Sequence, residues 1–475
     1  MSDILKTDIC VIGAGSGGLS VAAGASQMGA PTVLIEKDKM GGDCLNTGCV
    51  PSKALLAAGH AAAAVRKSHT FGVHADAPDI HDAEVYSHVH NTIAAIEPND
   101  SVERFEGLGV NVIKAAARFT GPQEVEAGGQ RIQARRFVIA TGSRAFVPPI
   151  TGIEDVPYLT NENVFEQNQL PGHLIVIGGG PIGIEMAQAH RHLGADVTVL
   201  EMSSIMPKDD QDLVAVVRKQ LDQDGIVVRE GVKVTAVSKT DAGVTVTIET
   251  DGKSEQVEGT HLLVAAGRKA NVDGLDLEKA GVDYSPKGID VDARLRTSNK
   301  KIFAIGDVAG GYQFTHVAGY HAGIVIRNAL FRLPAKADHS AVPWVTYTSP
   351  ELAQVGRTEE QARQSEGDDI RVLTWPFEEN DRAQAERLTD GMVKVVTAKN
   401  GRILGAGIAG AHAGELLQPW VLALSQNMKI GAMANIIAPY PTLGEVNKRV
   451  AGSYYTPSLF SERTKKVVRF LRHFG

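Results

Sequence analysis

The segment "TDICVIGAGSGGLSVAAGASQMGAPTVLIEK" passes from apolar residues through a glycine cluster and small residues to a second apolar run ending at Glu36. About 160 residues later, "HLIVIGGGPIGIEMAQAHRHLGADVTVLE" repeats that order and ends at Glu201. Each copy reads as strand, glycine turn, helix, strand. In each, G-x-G-x-x-G opens the helix: Gly13, Gly15 and Gly18, then Gly178, Gly180 and Gly183. The first glycine permits a tight turn, the second lets backbone approach a pyrophosphate, and the third allows close helix–strand packing. The helix N-terminus then offers N–H groups to phosphates. An acid about 20 residues on, at a strand end, suits a ribose hydroxyl. One such motif is a weak signal. Two in full context predict two dinucleotide-binding units in one α/β chain.

The second acid bears on nucleotide choice. A carboxylate at Glu201 accepts from a ribose 2′-OH and repels a 2′-phosphate. The following "MSSIMPK" supplies only Lys208 as a cation, so NADH is expected over NADPH.

At 475 residues the chain exceeds one ordinary domain, and roughly 100–200 residues per domain suggests three. Two further pieces extend the repeat pattern: "RRFVIATGSRAFVPP", with Thr141-Gly142-Ser143, and "KKIFAIGDVAGGYQFTHVAGYHAG", with Gly306-Asp307 and a helix start near Thr315. "THLLVAAGRKAN" ends the second unit at Gly267. From about Ala341 the pattern changes to strands with turns and an amphipathic helix, "GELLQPWVLALSQNMK", a separate α+β domain. A net charge of −7 argues against binding nucleic acid through phosphates. No 18-residue apolar run predicts a membrane span. The opening residues lack a basic, then apolar, leader pattern, so the expected compartment is the cytoplasm.

"GGDCLNTGCVPSK" concentrates two of the three cysteines, Cys44 and Cys49. Cys10 lies within an apolar strand and is expected to be inert. A zinc site wants a second pair of ligands at suitable spacing, and none accompanies C-x4-C; no metal is expected. A structural disulfide across so short a loop adds little to a large domain. A redox-active pair is the better reading, because Pro51-Ser52-Lys53 begins a helix and places Cys49 near its N-terminus, where a thiolate is favoured.

In order, "GAGSGG", "GGDCLNTGCVPSK", "ATGS", "GGGPIGIE" and "AIGDV" resemble the FAD-dependent pyridine nucleotide–disulfide oxidoreductases. That family includes dihydrolipoamide dehydrogenase, glutathione reductase and mercuric reductase, and the resemblance covers nearly the whole chain. It implies an α/β fold: two Rossmann-like dinucleotide-binding domains, for FAD and NAD(P), plus a C-terminal α+β dimerisation domain. The expected boundaries are 1–150 for FAD, 151–270 for NAD(P), 271–340 completing the FAD domain and 341–475 at the subunit interface. FAD would be bordered by Gly13, Gly15, Gly18, Glu36, Gly42, Lys53, Thr141, Gly142, Ser143, Asp307, Phe314, Thr315 and His316. NAD would meet Gly178, Gly180, Gly183, Glu201, Val234 and Gly267. Electrons would pass from NADH through FAD to Cys44–Cys49, Cys49 being the flavin-side thiolate and Cys44 the thiol that attacks substrate. Lys53 and Glu185 match the family's ion pair beside the flavin.

Many family members carry a histidine, supplied by the partner subunit, where "APYPTLGEVNKR" has Tyr440, with Glu445 following. Mercuric reductases also carry tyrosine there, but they usually add a C-terminal cysteine pair, and no cysteine follows Cys49. An ordinary tyrosine pKa near 10 makes it a poor base at neutral pH. The reaction implied is therefore NADH-dependent reduction, by a homodimer, of a lipoyl-type disulfide. The alternatives are a mercuric reductase-like activity, reduction of another thiol-reactive electrophile or a quinone, or a flavin-bearing redox sensor or partner-docking subunit. Finally, "FSERTKKVVRFLRHFG" interleaves Arg463, Lys465, Lys466, Arg469 and Arg472 with Val467, Val468, Phe470, Leu471 and Phe474. Such a helix covers its own protein in the simplest expectation, and otherwise docks a partner or lies on an anionic membrane surface.

Overall fold

A computed structural model describes residues 4–474. By backbone proximity they form two compact units. One runs to Met202 and resumes over Gly231–Asp338; the other joins Ser203–Glu230 to the residues from His339 onward.

In the first unit, the strand Leu5–Ile12 is the centre of a parallel sheet. It pairs with Thr32–Glu36 on one side and Gln130–Ile139 on the other. Val110–Lys114 extends the first side and Ile302–Ala304 the second, all in parallel register. Parallel strands buried on both faces need continuous apolar runs, and Ile9, Cys10, Val11 and Ile12 are all buried. The first half of Gln130–Ile139 also ends an antiparallel meander with Ala117–Gly121 and Glu124–Ala127. The helix Ser16–Gln27 follows the glycine turn, and Gly17, Gly18, Leu19, Val21, Ala22 and Ala25 form its buried side.

The second glycine unit repeats this plan. His173–Ile177 pairs in parallel with Asp196–Leu200 and with His261–Val264, and Tyr158–Leu159 flanks the latter. The helix Pro181–His192 connects the first two strands. An antiparallel three-stranded sheet, Lys233–Thr240, Gly243–Thr250 and Lys253–Gly259, interrupts the parallel order. The two dinucleotide-type units expected from the repeats are both present, each with its helix directly after the glycines.

The other unit holds a five-stranded antiparallel sheet in the order Pro343–Thr346, Glu351–Gly356, Ile403–Gly410, Met392–Ala398, Ile370–Pro376. Its core includes Phe377, Val393, Ile408, Trp420 and Val450. The buried Trp420 Nε1 donates to Asn447 Oδ1 at 2.8 Å, satisfying its one polar group. The single helix expected over "GELLQPWVLALSQNMK" is two, Ala413–Leu416 and Gln418–Ser425. Pro419 has no N–H to give to a continuous helix and sits instead in the first turn of the second. The helix Gln211–Gln223 belongs to this unit. Its N-cap Asp210, with Asp212 and Glu359, surrounds the buried ammonium of Lys394 at 2.9, 2.6 and 2.8 Å. Burial opposes that charge, but the hydrogen bonds it donates to three carboxylates hold the Lys394 pKa above its ordinary value.

Candidate active site

The first glycine turn shows why each of its glycines is there. Gly13 has φ +103°, and a Cβ there would stand 2.4 Å from the Ala140 carbonyl oxygen. A Cβ on Gly18 would lie 1.9 Å from the Gly13 oxygen, so helix and strand could not pack as closely. Gly15 differs: a Cβ there meets nothing within 4 Å, which leaves open space at the helix N-terminus. Gly178, Gly180 and Gly183 repeat the set, with clashes at 2.5 Å and 2.0 Å for the outer two and open space at the middle one. Both acids close back on these turns. Glu36 Oε2 accepts from Ala14 N at 2.6 Å, and Glu201 Oε2 from Gly179 N at 2.7 Å. Each carboxylate is thereby fixed beside its glycine turn at the end of its strand.

The cysteine segment is stitched to the first turn. Gly41 N donates to Ala14 O at 2.9 Å, and Gly15 and Gly41 form an isolated parallel bridge. Gly42, at φ +58°, leaves no room for a side chain against Gly15 Cα. Cys44 falls in the short helix Gly42–Asn46, whose Asn46 amide donates to the Met40 and Gly42 carbonyls. Cys49 is the first residue of the helix Cys49–Lys67, two residues earlier than Pro51 had suggested. Both are free thiols within hydrogen-bonding reach of one another.

Their environments push them apart. The hydrogen bond from Cys44 lowers the Cys49 pKa to about 6, helped by Thr315 and the charge of Lys53 and opposed by burial and Asp43. Cys49 Sγ is 3.4 Å from Thr315 Oγ1, and Thr315 itself opens the helix Thr315–Ala329. Cys44 moves the opposite way. Its bond to the Cys49 sulfur and its burial keep the proton on it. At neutral pH the pair is one thiolate, on Cys49, and one thiol, on Cys44. Lys53 Nζ lies 2.8 Å from Glu185 Oε2, joining the cysteine helix to the second glycine helix; the Glu185 side chain is only 5% exposed. Cys10 is fully buried, and burial raises its pKa, as an inert thiol requires.

A polar relay lies beside the thiols. Arg268 Nη2 is 3.1 Å from Asp43 Oδ2, while its Nε donates to Ser143 Oγ at 2.7 Å. Ser143 Oγ donates to Asp307 Oδ2 at 2.5 Å. Asn161 Nδ2 and Thr47 Oγ1 both donate to Asp43 Oδ1, at 2.9 and 2.8 Å. Burial raises the Asp307 pKa, against Ser143 and Arg268. Ser143 and Asp307 were singled out in the sequence; Arg268, Asp43 and Asn161 were not. Arg268 directly follows Gly267 and Asp43 directly precedes Cys44, but neither carries a motif that marks it as part of one network.

The remaining residues fall as follows. Thr141 Oγ1 donates to Asn271 O at 2.7 Å, and Gly142 has φ +68°. Phe314 is the N-cap of the Thr315 helix, with its ring stacked on His316 at 5.2 Å between centroids. Val234 sits in the strand Lys233–Thr240, beside a register shift, and Gly267 O accepts from Phe146 N. Tyr440 and Glu445 belong to the other unit. Tyr440 is 69% exposed and donates to Asp381 Oδ2 at 2.9 Å, and this bond raises its pKa. Glu445 is the first residue of the helix Glu445–Ser453.

Comparison with known proteins fits this arrangement. Residues 7–322 match the family model described as pyridine nucleotide-disulphide oxidoreductase. The chain belongs to that family. Residues 342–451 match the family's dimerisation domain. Among curated relatives, a mercuric reductase from Bacillus cereus is 34% identical over 92% of this chain and 70% of its own length. A dihydrolipoyl dehydrogenase from Geobacillus stearothermophilus is 35% identical over 94% and 96%. A solved copper(II) complex of the HOCl-induced flavoprotein disulfide reductase RclA from Escherichia coli superposes with TM-score 0.84 at 27% identity, covering 94% of this chain and 99% of that one. Pyridine nucleotide-disulphide oxidoreductases are FAD-dependent flavoproteins that work with a pyridine nucleotide. The first glycine turn fits such a cofactor: open space at Gly15, a helix N-terminus free for phosphate, and Glu36 fixed at the strand end.

Proposed function

We propose that this chain, as a homodimer, uses NADH to reduce a small-molecule disulfide of the lipoyl type through Cys44 and Cys49. The observation that carries this reading is the unequal thiol pair: two sulfurs within bonding reach, one held as thiolate and one as thiol, at a helix start tied to a dinucleotide-type glycine turn. Residues 1–150 and 271–340 would hold FAD, residues 151–270 the nicotinamide nucleotide, and residues 341–475 the subunit interface. Gly13, Gly15, Gly18 and Glu36 would hold the adenosine diphosphate end of FAD, and Ser143 and Asp307 its polar middle. When bound, FAD supplies the exchange between hydride transfer from NADH and electron-pair transfer to sulfur.

The residues account for the rest of the chemistry. Two electrons break the Cys44–Cys49 disulfide, leaving a Cys49 thiolate and a Cys44 thiol. Lys53 and the Thr315 hydroxyl stabilise the charge on Cys49. Cys44 attacks one substrate sulfur as its proton passes toward the Cys49 sulfur it is bonded to. The substrate S–S bond breaks, a mixed disulfide forms, and the first product thiol takes up a proton. Cys49 then attacks the Cys44 sulfur, re-forming the protein disulfide and releasing the second thiol. The sum consumes one NADH and one proton and yields two substrate thiols. Tyr440, bonded to Asp381 and with its pKa raised, is no base for the reverse reaction; it would orient substrate at the partner's thiols. Glu201, at its strand end, favours NADH by leaving no place for a 2′-phosphate.

A second reading, reduction of Hg(II), draws on the mercuric reductase relatives and on the affinity of thiolates for soft ions. The chain offers only Cys44 and Cys49 for it, since Cys10 is buried and no other cysteine exists.

The test is NADH oxidation with lipoamide, glutathione disulfide, Hg(II) and a quinone as acceptors. The expected result is turnover with lipoamide, lowered at least about a hundredfold in both Cys44→Ser and Cys49→Ser, and a higher kcat/KM for NADH than for NADPH. Equal quinone or Hg(II) turnover without lipoamide turnover would overturn the substrate class.

A further inference from the structure

The basic tail does not cover its own protein. Ser461 caps the helix Glu462–Leu471, its Oγ accepting from Thr464 N at 3.2 Å, and no residue of that helix is buried. Phe470 and Phe474 are 63% and 74% exposed and pack edge to face on each other at 5.0 Å. At 100° per residue, Val467, Val468, Phe470, Leu471 and Phe474 share one arc, while Lys465, Lys466, Arg469 and Arg472 occupy the opposite one, together with Glu462; Arg463, in the first turn, falls on the apolar side. Leu459 and Phe460, just before the helix, are also exposed. Leu459, Glu462, Thr464, Lys465, Val468 and Arg469 line a concavity of about 510 Å³. Glu462 is the one acid here, paired with both Lys465 and Arg469 at 2.8 and 3.6 Å, so the arc keeps its positive excess.

This segment lies outside the dimerisation-domain match, which stops at residue 451. Its charge is also opposite to that of the rest of the chain. The helix and its last turn hold five basic residues against one acid, while the remainder holds 43 against 54. From the gathering of four of the five basic residues on one arc and of the aromatic and aliphatic ones on the other, we infer that this helix binds the surface of an anionic lipid bilayer. The apolar arc enters the headgroup boundary, and the long Lys and Arg stems carry their charges back to the lipid phosphates. A proteinaceous groove would accept the apolar arc but gives no reason for four basic residues on the arc opposite. One short helix binds weakly, and two tails on a dimer add to one another through effective concentration.

The test is flotation of the full-length FAD-loaded protein with vesicles of phosphatidylcholine alone or mixed with phosphatidylglycerol, at low and raised salt. The expected result is flotation with the phosphatidylglycerol vesicles only, weakened by salt. The double variant Lys465→Glu/Lys466→Glu and, separately, Phe470→Ser/Phe474→Ser should each bind at least about tenfold less, with NADH oxidation unchanged because these exposed side chains lie outside the thiol site. Protein that stays unbound with both vesicle types overturns the inference, as does equal flotation with neutral vesicles. A change of oligomeric state on removing residues 461–475 would assign the helix to a second copy instead, and would equally overturn it.

Discussion

Lys53 has two tasks at the residue scale: it pairs with the nearly buried Glu185 and lends its charge to the Cys49 thiolate. Replacing it with methionine keeps the stem and removes the charge. The Cys49 pKa should then rise above its value of about 6, only part of the way to the ordinary thiol range, because the hydrogen bonds from Cys44 and Thr315 remain. The pH at which iodoacetamide reaction with the anaerobically reduced protein is half-maximal measures this, and an unmoved midpoint would exclude Lys53 as a contributor. Arg268 bridges Asp43 beside the thiols and the Ser143–Asp307 pair. Arg268→Met leaves those half-buried carboxylates without their cation, and the expected loss is about 1–3 kcal/mol. Thermal unfolding of the FAD-loaded protein reads it; a loss within experimental scatter would mean that Asp43 and Asp307 are stabilised otherwise.

At the scale of single elements, the helix Pro181–His192 carries a buried group that sets an acid limit. His190 is fully enclosed, its Nδ1 2.8 Å from Met186 O, and burial lowers its pKa from 6.5 to about 4. Between those values the unfolded chain binds a proton that the folded chain does not. Stability therefore falls as pH drops from 6.5 toward 4, by about 3 kcal/mol from this one group. Urea unfolding at steps of pH should show that contribution, and His190→Leu should reduce the slope between pH 6.5 and 4. An identical slope in the variant would place the sensitivity elsewhere. Elements of this kind were legible wherever short-range pattern decides them. Both glycine turns, the helix at Cys49 and the helix at Thr315 follow from spacing and residue type alone. The break at Pro419 was visible as a residue but was outweighed by the apolar periodicity around it. The Arg268 relay was not legible, because it joins residues 43, 143, 161, 268 and 307 by tertiary proximity, which no local pattern encodes.

For the whole molecule, the family and its α/β architecture were readable from the order of five motifs, because each motif needs a particular strand–turn–helix context. The association of Ser203–Glu230 with the C-terminal sheet was not. It rests on the buried Lys394 meeting Asp210, Asp212 and Glu359 across long sequence separations. The subunit arrangement proposed for catalysis places the Tyr440 of one chain at the thiols of the other. Tyr440→His then supplies a base with a pKa near 6.5 in place of one above 10. Dihydrolipoamide oxidation at neutral pH should rise at least about tenfold, with lipoamide reduction changed much less. No gain in oxidation would remove Tyr440 from the thiol site.

The claim on which the mechanism stands is that Cys44 and Cys49 receive electrons from the bound flavin. Anaerobic titration of the FAD-loaded protein with NADH tests it directly. The first equivalent is expected to reduce the disulfide while the flavin stays oxidised, giving a long-wavelength absorbance band that is lost in Cys49→Ser and lost on acidification through about pH 6. Bleaching of the flavin by the first equivalent, with no such band and no difference between the wild-type chain and Cys49→Ser, would contradict it.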